Sequence, residues 1–213
     1  MRLFVGIPTR GVVFTQTLKS LADNLIGFDW KLYLTQMNSI DKARNDIVGA
    51  YLASKDDFLL MLDDDEIMPE NALQMMTGVN KDIVVIDAPA KRTGKSNIFF
   101  NNDGDIAASG FGCALFKRKV FEKIPAPWFD LLPRRKIEKI AGQWSFPIID
   151  EIRPNEWGGE DINFSIKLRE AGYKINTLPY ICQHLEYEPF NSEKRATKIL
   201  EIRKYDAITG DPM

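Results

Sequence analysis

Apolar residues follow two different periods along the N-terminal part of the chain, and together these periods predict strands that alternate with helices. Short apolar runs predict four strands, at residues 3–7, 30–35, 58–62 and 82–86. Between them, apolar residues three and four positions apart predict helices at 18–25, 40–54 and 69–76. This alternation is typical of an α/β fold with a central, mostly parallel sheet flanked by helices. Ligands of such sheets bind at the carboxyl ends of the strands.

The pattern is weaker in the C-terminal part of the chain. Residues 87–109 are polar and predict a long excursion or a hairpin, and its basic tip around Lys91 and Lys95 is typical of a solvated loop. Prolines interrupt the pattern from residue 125 onward, and residues 134–147 fit no predicted element. The other predicted elements are strands at 113–116 and 174–178 and helices at 117–123, 160–171 and 193–205.

Composition indicates one ordinary globular domain. The 213 residues are 45% hydrophobic and 27% charged, and the net charge of −2 argues against nucleic-acid binding through net positive charge. Cys113 and Cys182 are too few for a disulfide framework, so a reducing compartment fits. No uncharged apolar run approaches the roughly 18 residues of a membrane span, and the chain begins with a strand-like run instead of a signal sequence. We therefore expect a cytoplasmic protein without a transmembrane segment.

The most informative local feature is the acidic run Asp63-Asp64-Asp65-Glu66, which directly follows the apolar strand at 58–62. If the strand continues, Asp63 and Asp65 point to the same side, because side chains along a strand alternate between its two faces. Two carboxylates at a ligand-binding sheet edge suit Mg²⁺ or Mn²⁺. The alternative is a solvated acidic turn that caps the following helix.

Arg44 interrupts the apolar stripe of the helix predicted at 40–54. A helix that follows a parallel strand begins at the ligand-binding edge of the sheet, so the guanidinium of Arg44 could bind a phosphate there. The alternative is that Arg44 pairs with a buried carboxylate or extends its charge into solvent. Its neighbour Asn45 is either a contact for a base or ribose, or an exposed helix residue.

Two further polar positions lie beside apolar elements. Gly158 and Gly159 allow a sharp turn before the helix at 160–171, and Asp161 lies at the head of the apolar stripe of that helix. The helix N-terminus favours an ionised Asp161, which a general base or an anchor for a substrate hydroxyl requires; a helix cap without chemistry is the alternative. His184 is the only histidine, and it is either a ligand for an ion such as Mn²⁺ or a packing residue.

The order of these features along the chain resembles the GT-A fold nucleotide-sugar glycosyltransferases, particularly their small family 2-like members. The resemblance spans roughly residues 3 to 188. It implies one GT-A domain over residues 1–213, with a nucleotide-binding half at 1–87, an acceptor half at 88–190 and a C-terminal helix and tail at 191–213. The matching motifs are Gly6-Ile7-Pro8-Thr9-Arg10, Ala43-Arg44-Asn45, "LDDDEIMP" at 62–69, Gly110-Phe111-Gly112, "PWF" at 127–129, "GGEDINFSIKLREAGYKI" at 158–175, and His184.

The resemblance also implies roles for individual residues. In the family, the DxD motif holds a divalent cation that bridges the nucleotide diphosphate, which makes Asp65 the direct ligand and lets Asp63 contact the metal or the ribose. His184 matches a later metal ligand. Asp161 would be the general base or the acceptor anchor, with Glu160 beside it. The residues expected to bind the nucleotide sugar are Pro8, Thr9, Arg10, Arg44, Asn45, Asp63 and Asp64.

The resulting hypothesis is a glycosyltransferase that depends on Mn²⁺ or Mg²⁺ and moves a sugar from a UDP- or GDP-linked donor to a hydroxyl of a glycan or another acceptor. One alternative is a nucleotide- or glycan-binding domain of the same fold without turnover. The other is a DxD phosphatase with an aspartate nucleophile. The residues Glu66-Ile67, which follow Asp65, depart from the DxDxT ending of such phosphatases.

Overall fold

The structure is a computed structural model that describes residues 1–36, 39–91, 93–148, 157–186 and 198–199. Its helices are α1 (Thr15–Asn24), α2 (Ile40–Ala53), α3 (Ala72–Gly78), α4 (Arg118–Lys123) and α5 (Glu160–Glu170). Its strands are β1 (Arg2–Thr9), β2 (Asp29–Gln36), β3 (Phe58–Leu62), β4 (Glu66–Ile67), β5 (Ile83–Asp87), β6 (Ile98–Phe100), β7 (Ile106–Ser109), β8 (Cys113–Lys117), β9 (Arg135–Lys136), β10 (Glu138–Ile140), β11 (Gln143–Ser145), β12 (Trp157–Gly158), β13 (Asn176–Ile181), β14 (Gln183–Glu186) and β15 (Lys198–Ile199).

Six strands form the central sheet, in the order β13-β5-β8-β3-β1-β2. β1 is parallel to β2 and β3, and β5 is parallel to β13. β8 lies between β3 and β5 and is antiparallel to both. The predicted α/β class with a central, mostly parallel sheet is therefore confirmed. The direction of β8 follows from the hairpin of β6 and β7, which returns the chain to the sheet at the same end at which β5 leaves it.

Helices cover both faces of this sheet, and β3 shows how. Leu59 and Met61 face a core layer shared with α2, α4 and α5, whereas Leu60 and Leu62 face a layer shared with α1 and α3. All four side chains are fully buried, which stabilises the fold by about 1.5–3 kcal/mol for each. A strand buried on both faces reads as a continuous apolar run, and this explains the unbroken apolar sequence of residues 58–62.

Several predicted boundaries differ in the structure. α3 begins at Ala72 instead of residue 69, because Asn71 takes a positive φ of 57° and the helix starts only after it. α5 ends at Glu170, and Gly172 follows with a φ of 81°, as expected for a glycine after a helix. The last strand of the sheet is β13, which begins two residues later than predicted.

The remaining predicted segments are partly described. Residues 87–109 contain the hairpin of β6 and β7, one of the two predicted alternatives. The segment 134–147, which fitted no element, contains the short strands β9, β10 and β11. Of the helix predicted at 193–205, only Lys198–Ile199 is among the described residues, and it pairs with β14 as strand β15. None of the helices in the described ranges has the length and apolar character that a bilayer crossing demands.

Candidate functional site

Several polar side chains meet around a small cavity at the carboxyl-end edge of the sheet. Asp63 follows β3, Asp87 ends β5, Asp161 is in the first turn of α5, and His184 is in β14. The cavity has a volume of about 60 Å³. Its lining residues are Asp63, Glu66, Asp87, Ala88, Asn97, Gly110, Gly112, Asp161 and His184. The fold thus brings together Asp63, Asp161 and His184, which the sequence analysis singled out separately.

Arg44 lies behind this cavity and is 2% exposed. Its Nε donates to Glu160 Oε1 at 3.2 Å, its Nη1 to the Phe111 carbonyl at 3.1 Å, and its Nη2 to Asp63 Oδ1 at 3.1 Å. Asp161 Oδ1 is 3.7 Å from Nε. Of the two alternatives left open by the sequence, the structure shows the pairing with carboxylates, of which Glu160 is buried and Asp63 and Asp161 are partly exposed. A phosphate contact of Arg44 stays a prediction, and it would have to replace one of these bonds.

The cluster around Arg44 has more negative than positive charge. Three carboxylates face one guanidinium, and together they raise the pKa of Arg44 against the effect of burial. Burial also raises the pKa of Asp161 well above its ordinary value, Glu160 and Asp63 act in the same direction, and Arg44 opposes them. Asp161 Oδ1 is buried without a hydrogen-bond partner. This edge of the site therefore favours a further positive charge, either a proton or a cation.

The acidic run forms a turn, and this corrects one step of the sequence analysis. β3 ends at Leu62, so strand alternation does not extend to Asp63 and Asp65. The Asp63 backbone N–H donates to the Gly112 carbonyl at 2.7 Å, and the side chains that meet at Gly112 are those of Asp63 and Glu66. Asp65 contacts Lys91 Nζ instead. Glu66 therefore takes the place beside Asp63 that the strand pattern gave to Asp65.

Gly112 is required where it packs against these carboxylates, and a substitution tests this. In Gly112→Ala the added Cβ would overlap Glu66 Oε1 and lie 3.0 Å from Asp63 Oδ2. We expect a loss of about 1–3 kcal/mol in the free energy of unfolding, as for other overpacked interior positions. Urea unfolding measures this loss. The matched control is Gly110→Ala, whose Cβ meets only Asn97 at 3.3 Å; equal losses in the two variants would contradict the packing argument.

Glu66 and His184 form an ion pair in the cavity. Glu66 is 1% exposed, its Oε1 is 3.2 Å from His184 Nε2, and its Oε2 has no hydrogen-bond partner. His184 Nδ1 is 2.6 Å from the Pro89 carbonyl, which requires the proton on Nδ1 and leaves Nε2 directed at Glu66. Burial raises the pKa of Glu66 to about 7. Burial disfavours the charged imidazole, but the Glu66 carboxylate outweighs it and raises the pKa of His184 to about 9.

The first-strand loop reaches the same edge through Asp64. Thr9 ends β1 and is buried, with its hydroxyl donating to the Val12 carbonyl at 2.8 Å. The Arg10 backbone N–H is 3.4 Å from Asp64 Oδ2. Burial raises the pKa of Asp64, and the polar groups of Thr9 and Arg10 beside it oppose this. Pro8, the residue before Thr9, is buried inside β1. The nucleotide contacts expected of these four residues stay predictions, but the fold does bring them together.

Asn45 holds the loop that follows α4. Its Nδ2 donates to the Asp41 and Phe129 carbonyls at 2.8 and 2.7 Å, and its Oδ1 accepts from the backbone N–H groups of Trp128 and Phe129. All the hydrogen-bonding capacity of the amide is thereby used inside the protein. The predicted base or ribose contact of Asn45 stays a prediction, and the structure gives the residue a positioning role.

The donor set around the cavity suits a divalent cation in its chemistry. Carboxylate oxygens with one imidazole are ligands that Mn²⁺ and Mg²⁺ accept, and Glu66 Oε2 has no hydrogen-bond partner there. The Nδ1–H bond to a carbonyl is also the usual way in which a ligating histidine is oriented. Within the described ranges, no three His, Cys, Asp or Glu side chains already stand in a metal-holding arrangement. The ligands Asp63, Asp65 and His184 therefore stay predictions that fit by donor type.

Three site residues escaped the sequence analysis. Glu66 belonged to the acidic run but carried no separate role. Asp87 lies at the end of a buried strand at the same edge of the sheet, and such a position is what drew attention to Asp63. Asp87 was missed because the strand was predicted to end one residue earlier, at residue 86. Lys91 has no local signal, because its contact with Asp65 joins residues 26 positions apart.

Comparison with known proteins identifies the fold. Protein-family models and curated proteins give no match to this chain. Among solved structures, A197 from STIV is similar, with a TM-score of 0.57, 19% identity, and coverage of 89% of this chain and 87% of A197. The two proteins share a fold. At this identity the similarity establishes the fold alone, and a function has to be argued from the site.

Two more distant structures are of nucleotide-handling proteins. A provisionally named nucleotide-diphospho-sugar transferase from Desulfovibrio desulfuricans G20 has a TM-score of 0.45 and 10% identity, with coverage of 84% of this chain and 80% of that chain. CMP:2-keto-3-deoxy-manno-octonic acid synthetase complexed with CTP has a TM-score of 0.43 and 10% identity, with coverage of 85% and 90%.

Proposed function

We propose that the protein is a glycosyltransferase of the GT-A type, which uses Mn²⁺ or Mg²⁺ to transfer a sugar from a UDP- or GDP-linked donor to a hydroxyl acceptor. The observation that carries the proposal is the cavity in which Asp63, Glu66, Asp87 and Asp161 present four carboxylates at the carboxyl-end edge of the sheet. A small cavity so rich in negative charge favours a cation, and a cation in turn favours a phosphorylated ligand.

The chemistry of such a transfer matches the residue types. A divalent cation at this edge would be held by Asp63, Asp65 and His184, with Glu66 as an additional ligand, and it would stabilise the negative charge of the departing nucleoside diphosphate. The chain's own residues supply the rest. Arg44 fixes Asp63, Glu160 and Asp161 relative to one another, since it contacts all three.

Asp161 is the proposed proton acceptor. Its carboxylate is in the first turn of α5 and lines the cavity together with Asp63, so an acceptor hydroxyl between them could lose its proton to Asp161 as it attacks the sugar. Burial raises its pKa, so once ionised the carboxylate accepts a proton more readily than an ordinary aspartate does. Glu160 is bonded to Arg44 and therefore acts as a positioning residue.

The proposal predicts that nucleotide binding depends on a divalent cation. Calorimetric titration with a panel of UDP- and GDP-sugars should show binding in the presence of Mn²⁺ and a loss of at least about tenfold in affinity after the cation is chelated, since the cation would offset the negative charge of the diphosphate. UMP and CTP are useful comparisons. UMP lacks the diphosphate, and CTP has a different base from the donors in the panel.

Three outcomes separate the candidate functions. Metal-dependent binding followed by release of the nucleoside diphosphate supports transfer. Binding without turnover on a broad panel of glycan acceptors, and without slow hydrolysis of the donor, supports the non-catalytic binding domain. If no nucleotide binds in a cation-dependent way, the proposed function is wrong.

A further inference from the structure

The loop between β5 and β6, described at residues 88–91 and 93–97, reaches the acidic edge of the sheet. At its base, the Asn97 backbone N–H donates to Asp87 Oδ1 at 3.0 Å, and Asn97 Nδ2 donates to the Ala88 carbonyl at 2.7 Å. Near its tip, the Ala90 N–H donates to the Lys95 carbonyl at 2.8 Å. Among the described residues of this loop, the backbone is thus held at both ends.

Two contacts attach the loop to residues that the sequence analysis predicted as cation ligands. The Pro89 carbonyl accepts from His184 Nδ1, and Lys91 Nζ pairs with Asp65 Oδ2. The sequence pattern predicted a solvated basic tip; Lys95 is exposed, whereas Lys91 is only partly exposed and its ammonium pairs with a carboxylate. Lys91 therefore supplies a positive charge at the carboxylate that was predicted to be the direct metal ligand.

We propose that a divalent cation displaces the ammonium of Lys91 from the Asp65 carboxylate. The freed ammonium then binds the diphosphate of the nucleotide. This inference rests on the proposed function. The side chains of Lys91 and Asp65 are 32% and 21% exposed, so the ammonium can leave the carboxylate without entering the core. Lysine suits this task, since its charge is a compact point on a flexible four-carbon stem.

Charge determines the order of these events. A cation at Asp65 repels the ammonium of Lys91, whereas a nearby diphosphate attracts it. Without a nucleotide, Lys91 therefore competes with the cation for Asp65 and weakens cation binding. Once the cation is present, Lys91 strengthens the binding of a nucleoside diphosphate. The two effects have opposite signs, and a residue with only a structural role would not produce both.

The experiment compares the wild type with Lys91→Met in two binding assays. Electron paramagnetic resonance measures the affinity for Mn²⁺ alone, which should become about two- to fivefold tighter without the competing ammonium, as expected for a partly exposed ion pair. Calorimetry in saturating Mn²⁺ measures the affinity for UDP and GDP, which should fall at least about tenfold after loss of a charge-assisted bond.

Two further variants serve as controls. Lys95→Met removes an exposed lysine from the same turn and should change neither affinity. Lys91→Arg keeps the positive charge and should restore most of the nucleotide affinity. Circular dichroism spectra of all variants show whether the fold is kept.

The outcomes distinguish this inference from the proposed function. If the wild type binds UDP or GDP with Mn²⁺ and Lys91→Met binds both ligands equally well, the inference is overturned while the proposed function stands. Tighter Mn²⁺ binding with unchanged nucleotide affinity overturns the phosphate contact. If the wild type binds Mn²⁺ but neither nucleotide, the proposed function and the phosphate contact both fail, and the Mn²⁺ assay alone still decides the exchange at Asp65.

Discussion

Replacing Asp161 with asparagine should slow sugar transfer strongly while leaving donor binding intact. The amide cannot accept the hydroxyl proton, so we expect the turnover number to fall by about 10²–10⁴-fold, the usual contribution of a general base. The affinity for the nucleotide sugar in Mn²⁺ should stay within about twofold, because the proposed base faces the acceptor. Release of the nucleoside diphosphate measures turnover, and calorimetry measures binding. Glu170→Gln is the matched control, an exposed carboxylate at the other end of the same helix.

The pH dependence of this variant gives a second readout. Because the pKa of Asp161 is raised, the wild-type rate should increase with pH through a pKa well above the ordinary aspartate value of 3.8, and Asp161→Asn should lose this step. The same shift makes the fold less stable as pH rises from the unfolded-state pKa to the raised folded-state pKa, because only the unfolded chain ionises in that window. The asparagine variant should lack this decline. Unchanged turnover would remove Asp161 from the role of base.

Replacing Arg44 with methionine should produce the largest loss of stability. The substitution leaves Asp63, Glu160 and Asp161 facing one another without their common guanidinium. Removal of one partner from a buried ionic cluster costs about 3–5 kcal/mol, which is a large share of the roughly 5–15 kcal/mol that stabilises a typical domain. Urea unfolding at neutral pH measures the loss. The stability loss should be smaller at acidic pH, because protonated carboxyl groups no longer repel one another.

Arg118→Met is the control that separates charge from hydrogen bonding. Arg118 donates to the backbone carbonyls of Tyr51, Leu52, Ser54 and Asp56, so its loss leaves uncharged acceptors behind. We expect a smaller loss, of about 1–3 kcal/mol, that does not depend on the ionisation of buried carboxylates. If the stability loss of Arg44→Met is as small as that of Arg118→Met and equally independent of pH, the three carboxylates do not need the guanidinium.

The fold was largely predictable because its signals are local. Strands buried on both faces, such as β3, appear as continuous apolar runs, and helices packed on one face appear as apolar stripes. The direction of β8 was not predictable, since it is set by the path of the hairpin before it. The strand at 198–199 was also missed, because its pairing with β14 joins distant parts of the chain.

The site was predictable only as a set of separate candidates. Asp63, Asp161 and His184 each broke a local pattern, and this drew attention to them, but a helix cap or a packing residue explained each one separately. The structure places them around one cavity, and it shows Arg44 among three carboxylates from two separate segments, the turn after β3 and the first turn of α5. No sequence periodicity connects residues 44, 63 and 160, because they come together only when α2 and α5 pack on the same face of the sheet.

The sequence by itself determined the α/β class, the position of the acidic run at the end of a core strand, and the presence of one arginine inside an apolar stripe. These features depend on neighbouring residues, whose spacing is fixed by the geometry of helices and strands. Only the tertiary structure decided which charges meet. It paired Arg44 with Asp63 and Glu160, Glu66 with His184, and Lys91 with Asp65. Electrostatic partners depend on distance in space, and that distance is set by the packing of the whole sheet and its helices.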